Sequence, residues 1–92
     1  MPTICLKPRA VKFIKSLPPK HKEQVKKYIL SLQNDPMPHD VRPLTGYSPY
    51  VRADVGEYRI IYIYDSEKDL ITVVLVGKRN DGSVYRTMKR II

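Results

Sequence analysis

Ninety-two residues carry 17 Lys and Arg against 9 Asp and Glu, a formal net charge of +8, with 42% hydrophobic and 28% charged residues. Domains cluster near ~100–150 residues, so that length makes one domain; a chain this short buries only about 60–65% of its unfolded surface, and the apolar content excludes an intrinsically disordered chain. The charge excess repels itself and favours an anionic partner, but nucleic acid, an acidic protein and a membrane surface all qualify.

Thr3 to Lys7 reads as a short strand, apolar at Ile4 and Leu6, that stops at Pro8. Arg9 to Leu17 carries Val11, Ile14 and Leu17 at helical spacing, with Ala10 and Phe13 widening the stripe. Pro18 and Pro19 break this helix, and Pro19 can open the next, because proline is tolerated in a first helical turn. The second helix is predicted to run to about Gln33, with Val25, Tyr28, Ile29 and Leu32 on one face and Lys20, Lys22, Lys26 and Lys27 on the other. Such a lysine face is read first as a solvated one. Between Asn34 and Pro49 four prolines exclude a helix or a central strand, which leaves an ordered crossing loop pinned by Leu44 and Tyr47.

The second half is rich in β-branched and aromatic residues. Tyr50–Val55, Tyr58–Tyr64 and Leu70–Lys78 are predicted strands, separated by turns at Gly56-Glu57 and Asp65–Asp69, and so form an antiparallel meander. After the turn Asn80-Asp81-Gly82, Ser83 can cap a last helix from Val84 to about Ile91. The order strand, two helices, three strands, helix gives one α+β domain over residues 1–92. A strand and helical hairpin pack on a mainly antiparallel twisted sheet, with the helices on one face.

Cys5 is single and lies between Ile4 and Leu6, so it reads as a small buried hydrophobe, and the absence of cysteine pairs points to a reducing cytoplasm. No stretch approaches the ~18 apolar residues of a membrane helix. The N-terminus also lacks the basic-then-apolar layout of a signal peptide, so a soluble cytoplasmic protein without membrane association is expected. His21 and His39 lack metal-ligand companions, and no phosphate loop, carboxylate pair or Ser-His-Asp pattern is present, so neither metal nor cofactor is expected.

Alternation across the strands puts Arg59 at the start of the central strand and Arg79 at the end of the last, hence at the same end of the sheet. Arg52 begins the preceding strand and is expected at the opposite end, reaching Arg59 only if the sheet folds over. Guanidinium groups are the preferred planar clamps for phosphate. Tyr85, about six residues beyond Arg79, can lean back over that end to stack on a base or move a proton. Arginines at strand ends are more often solvated surface residues, so the residues alone reach only as far as a polyanion-binding domain.

Tyr50-Val51-Arg52-Ala53-Asp54-Val55-Gly56-Glu57-Tyr58-Arg59-Ile60-Ile61-Tyr62 resembles the signature of the RelE/ParE toxin superfamily. Val76-Gly77-Lys78-Arg79, Val84-Tyr85 and Lys89-Arg90-Ile91-Ile92 are similar to the closing segment of its RelE branch, and Pro43-Leu44-Thr45-Gly46 fits too. The resemblance implies a toxin of a type II toxin-antitoxin system that cuts messenger RNA on the ribosome. In that family's reaction the ribose 2′-hydroxyl attacks the adjacent phosphate, without a metal. It further implies Arg59, Arg79 and Tyr85 as catalytic residues, and Arg52, Lys78, Lys89 and Arg90 as RNA or phosphate contacts. Asp54 departs from the pattern, because relatives often carry a second basic residue there; it either acts as base, points away or weakens catalysis.

The competing readings are a ParE-like inhibitor of DNA gyrase and a catalytically weak member that only binds its antitoxin. Tyr85 following Gly77-Lys78-Arg79 favours the nuclease, since an inhibitor does not need it. A cognate antitoxin with acidic residues and an amphipathic helix is the expected partner, beside the ribosome and messenger RNA. It is expected to lie across the sheet or to displace the last helix.

Overall fold

The computed structural model describes residues 1–80 and 82–91; Asp81 of the predicted turn and Ile92 of the closing motif lie outside the described residues. The chain order is β1 (Thr3–Leu6), α1 (Pro8–Lys15), α2 (Pro19–Ser31), β2 (Arg42–Pro43), β3 (Val51–Val55), β4 (Tyr58–Asp65), β5 (Leu70–Lys78) and α3 (Ser83–Ile91). Pro8 and Pro19 both stand in a first helical turn, where the missing amide would have had no helical acceptor. The strands form one sheet in the order β1-β5-β4-β3-β2, antiparallel except where β1 lies parallel to β5. The α+β class and the meander are as the sequence implies. The crossing loop adds one detail: Arg42 and Pro43 form a two-residue edge strand on β3, a place where a proline is tolerated.

Helices α1 and α2 cover one face of the sheet. Ala10, Ile14, Val25 and Leu32 meet Ala53, Ile60, Tyr62 and Val73 there, and each of these eight is at most 5% exposed. Helix α3 departs from the expectation that the helices share a face. It lies on the other side, with Val84 and Met88 against Ile61, Val74 and Leu75, and with Leu44 of the crossing loop beneath it.

A bulge in β5 makes this second core possible. Ile61 pairs with Leu75 but Tyr62 pairs with Val73, so Val74 is an extra residue. Unbroken alternation would put Val73 and Leu75 on one side and Val74 and Val76 on the other. Instead Val73 and Val76 join the core under α1 and α2, while Val74 and Leu75 both turn to α3. One inserted residue thus gives the last helix two adjacent apolar side chains to land on.

Two loop contacts fix the crossing segment. Leu44 is 1% exposed and packs with Tyr47 below α3, as expected, and the Tyr62 hydroxyl donates to the Pro36 carbonyl at 2.8 Å. Cys5, in contrast, is exposed and not buried. Ile4 turns into the core under α1 and α2, so its neighbour on this edge strand must point to the other face, which α3 leaves bare at that end.

Candidate phosphate-binding site

The hairpin β3–β4 decides what faces α3. Val51, Ala53 and Val55, with Tyr58, Ile60 and Tyr62, are drawn into the core under α1 and α2, so Arg52, Asp54 and Arg59 must project from the opposite face. Gly56 adopts φ +57°, a left-handed conformation that lets the chain reverse through Gly56 and Glu57. That reversal sets Asp54 directly across from Arg59.

The two side chains meet as a fork. Arg59 Nε donates to Asp54 Oδ1 at 2.8 Å, and Nη2 to Oδ2 at 3.4 Å. Arg52 Nη1 stands 3.6 Å from the same Oδ2. Hydrogen bonding from Arg59, with the charges of Arg59, Arg52 and Arg79, holds the Asp54 carboxyl below the usual carboxylate range against the opposing effect of burial. Asp54 in turn holds Arg59 above its ordinary value, helped by the Tyr85 phenol oxygen, which lies where it can accept from the guanidinium. Arg52, Arg59, Arg79 and Tyr85 are therefore all within electrostatic reach of one ion pair.

The expected end-to-end separation of Arg52 and Arg59 is corrected by this arrangement. Arg52 pairs with Ile61, only two residues along β4 from Arg59. Two residues of strand span about 7 Å, less than an extended arginine can cover, so no folding of the sheet is needed. Arg79 lies where the sequence puts it, its amide donating to the Glu57 carbonyl at 3.0 Å beside the hairpin turn.

Tyr85 reaches the pair because of Gly77, which is the register partner of Arg59. A Cβ there would stand 2.8 Å from Val84 Cγ2, so glycine lets the first turn of α3 settle on the sheet. Of the remaining predicted contacts, Lys89 is exposed one helical turn beyond Tyr85, on the same side of α3. Arg90 is exposed one turn beyond Arg86, away from the pair. Lys78 pairs with Tyr58, whose side chain is in the core under α1 and α2, so the pleat sends Lys78 to the face opposite Arg59.

Tyr50 is a candidate that the sequence reading passed over. It precedes Arg52 by two positions, and with Tyr47 and Tyr85 it packs against the core under α3, forming an aromatic border to the site. Period-two spacing Tyr50-Arg52-Asp54 was the available signal. His21 belongs elsewhere: its Nδ1 shares a 2.6 Å hydrogen bond with the Tyr58 hydroxyl and ties α2 to the hairpin. Among the described residues no cluster of three His, Cys, Asp or Glu could hold a metal ion, and no helix is long and apolar enough to cross a membrane.

Residues 4–82 match the family described as ParE toxin of the type II toxin-antitoxin system, parDE. The chain is 27% identical over 74 residues to RelE1 of Methanocaldococcus jannaschii, an alignment covering 77% of this chain and 82% of that relative. Its fold superposes on the isolated E. coli RelE toxin with a TM-score of 0.75 at 26% identity, over 100% of both chains. Against the archaeal RelE-RelB complex from Pyrococcus horikoshii the TM-score is 0.76 at 26% identity, covering 87% of this chain and 97% of the other. With the family match spanning both the hairpin that carries Arg52, Asp54 and Arg59 and the strand that leads to Arg79, the chain belongs to the ParE toxin family of type II toxin-antitoxin systems, as a RelE-like toxin.

Proposed function

We propose that this toxin is a ribosome-dependent endoribonuclease that cuts messenger RNA in the cytoplasm, and that a cognate antitoxin silences it. The observation that supports the reading is the gathering of Arg52, Arg59, Arg79 and Tyr85 around one ion pair on the α3 face. In the reaction the ribose 2′-oxygen bonds to the adjacent phosphorus as the 5′-oxygen of the next nucleotide leaves, giving a cyclic phosphate. A base must take the 2′-hydroxyl proton, an acid must protonate the leaving oxygen, and cations must meet the charge gathering on the phosphoryl oxygens. Arg59 and Arg79 supply the cations, Arg52 holds the backbone, and Tyr85 stacks on a base or carries a proton. Lys89, one turn along, extends the path for the RNA strand.

Asp54 is a poor choice of base, since its hydrogen bond to Arg59 holds its carboxyl below the usual carboxylate range. The antitoxin has separate support. RelE of Pyrococcus horikoshii was solved with RelB. In this chain Ile4, Leu6 and Leu30 line a groove together with Lys15, Lys22 and Lys26, a surface suited to an acidic amphipathic segment.

Brief induction followed by primer extension tests the nuclease. Transcripts are expected to be cut only when translated, and cleavage is expected to persist in a translating extract from which loosely bound metals other than magnesium are removed. Arg79→Ala should slow cleavage by about 10²–10³, the cost typical of losing one donor to a developing oxyanion. Tyr85→Ala should lose at least about 10², and both variants should restore growth. Full toxicity of both Ala variants would overturn the site assignment. DNA damage with intact transcripts would move the reading to gyrase inhibition.

A further inference from the structure

Asp54 does to Arg59 what a phosphate would do. Its two oxygens accept from Nε and Nη2 of one guanidinium, the paired geometry by which arginine grips phosphate as well as carboxylate. Those N–H groups cannot serve two anions at once. The side chain of Arg59 is only 16% exposed, and Asp54, on the neighbouring strand, covers its Nε–Nη2 edge.

We infer that Asp54 is an internal anion that occupies the phosphate seat of Arg59 and must be displaced by RNA before the site can close on its substrate. The inference rests on the ribonuclease reading and adds to it a residue that sets the threshold for substrate binding. Asp54 also draws Arg52 toward itself, so one carboxylate restrains two of the three arginines. Its side chain is 32% exposed, which leaves it a path to turn into water when Arg59 is taken. With the carboxylate side of the pair partly open to water, opening it costs about fivefold in an equilibrium.

The exchange is neutral in charge at Arg59 itself, one carboxylate leaving as one phosphodiester arrives. A ligand with a single phosphate therefore gains little. An RNA strand gains more, because neighbouring phosphates reach Arg52 and Arg79 while a base reaches Tyr85. Asp54 thus tilts the site against free phosphate and short anions, and toward polymer. Its carboxylate, already accepting from Arg59 through both oxygens, fits a placeholder and not a proton acceptor.

Binding of a single-stranded RNA oligonucleotide with 2′-O-methyl riboses, which cannot be cut, is measured by fluorescence anisotropy across a salt series. Asp54→Asn is expected to bind about fivefold tighter than the wild-type chain. Its plot of log K against log salt should steepen by about 0.7, the increment for one more phosphate neutralised on a single strand. In an Arg59→Gln background the same substitution should lose most of its effect on both quantities, keeping only the smaller part that acts through Arg52. Glu67→Gln removes one negative charge in the β4–β5 turn and should leave the salt slope as it was. Asp54→Ser serves the same purpose should the Asn variant melt early.

If Asp54→Asn and Asp54→Ser match wild type while Arg59→Gln still weakens binding, the inference falls and the ribonuclease reading stands. If either variant abolishes cleavage of unmodified RNA on ribosomes, the carboxylate is a proton acceptor and the inference is overturned. Failure of every variant, wild type included, to bind the oligonucleotide would overturn the inference, while primer extension of transcripts decides the ribonuclease reading separately.

Discussion

At the scale of single residues, two tyrosines of the core between the sheet and α1 and α2 behave differently. The Tyr62 hydroxyl donates to the Pro36 carbonyl, whereas the Tyr28 oxygen is sealed from solvent without a hydrogen-bond partner among the described residues. Burial, with the charges of Asp40 and Asp35, pushes the Tyr28 phenol up to about 12. A stranded hydroxyl is a cost to folding, so Tyr28→Phe should leave stability unchanged or raise it by up to about 1 kcal/mol. Tyr62→Phe removes a made bond and strands a carbonyl, and should lose about 1–2 kcal/mol. Urea denaturation of both variants reads the difference; a loss of 1 kcal/mol or more in Tyr28→Phe would mean that its hydroxyl is bonded in solution. The placement of the candidate residues was legible at this scale where period-two alternation carried it: the shared sheet end of Arg59 and Arg79, with Tyr85 near it, follows from strand phase and chain distance. The partner of Asp54 was not, because a sequence shows which residues share a face but not which cross-strand pair a turn will set opposite each other. Only the register fixed by Gly56 brings Asp54 across from Arg59.

At the scale of elements, the end of β5 and the start of α3 act as one part. The bulge at Val74 turns two apolar side chains toward α3, and Gly77 clears the space that Val84 fills. Gly77→Ala should therefore force the helix outward and lose about 1–3 kcal/mol, the usual cost of overpacking. Its catalytic effect should exceed its loss of stability, because Tyr85 moves with Val84. Val84→Ala removes the clashing methyls, so in that background Gly77→Ala should cost measurably less, a coupling that a double-mutant cycle in urea would read. Simple additivity would show that α3 does not rest on Gly77. The helices and strands themselves were readable from prolines, periodicity and turn residues. The side of the sheet that α3 takes was not, since Val73 to Val76 is uniformly apolar and one bulged residue reassigns the faces without any change in composition.

At the scale of the whole molecule, a charge of +8 gives no address by itself, but the fold divides the cations between two faces. Lys26 and Lys27 are exposed on α2, over one face of the sheet, while Arg52, Arg59 and Arg79 gather on the other. The molecule measures 33 × 29 × 24 Å, and at physiological salt charges are screened within about 8 Å. The two sets should therefore act independently near 0.15 M salt. Neutralising Lys26 and Lys27 to Gln is expected to leave RNA affinity and its salt slope nearly unchanged. Each arginine of the cluster changed to Gln should flatten the slope by about 0.7, with Arg59 the smallest effect because Asp54 already competes for it. At 0.02 M salt the screening length exceeds 20 Å, and the lysines should then begin to speed association. Equal loss of slope from the lysine pair at 0.15 M would mean that RNA runs across α2, and the phosphate path would have to be redrawn around the helical face.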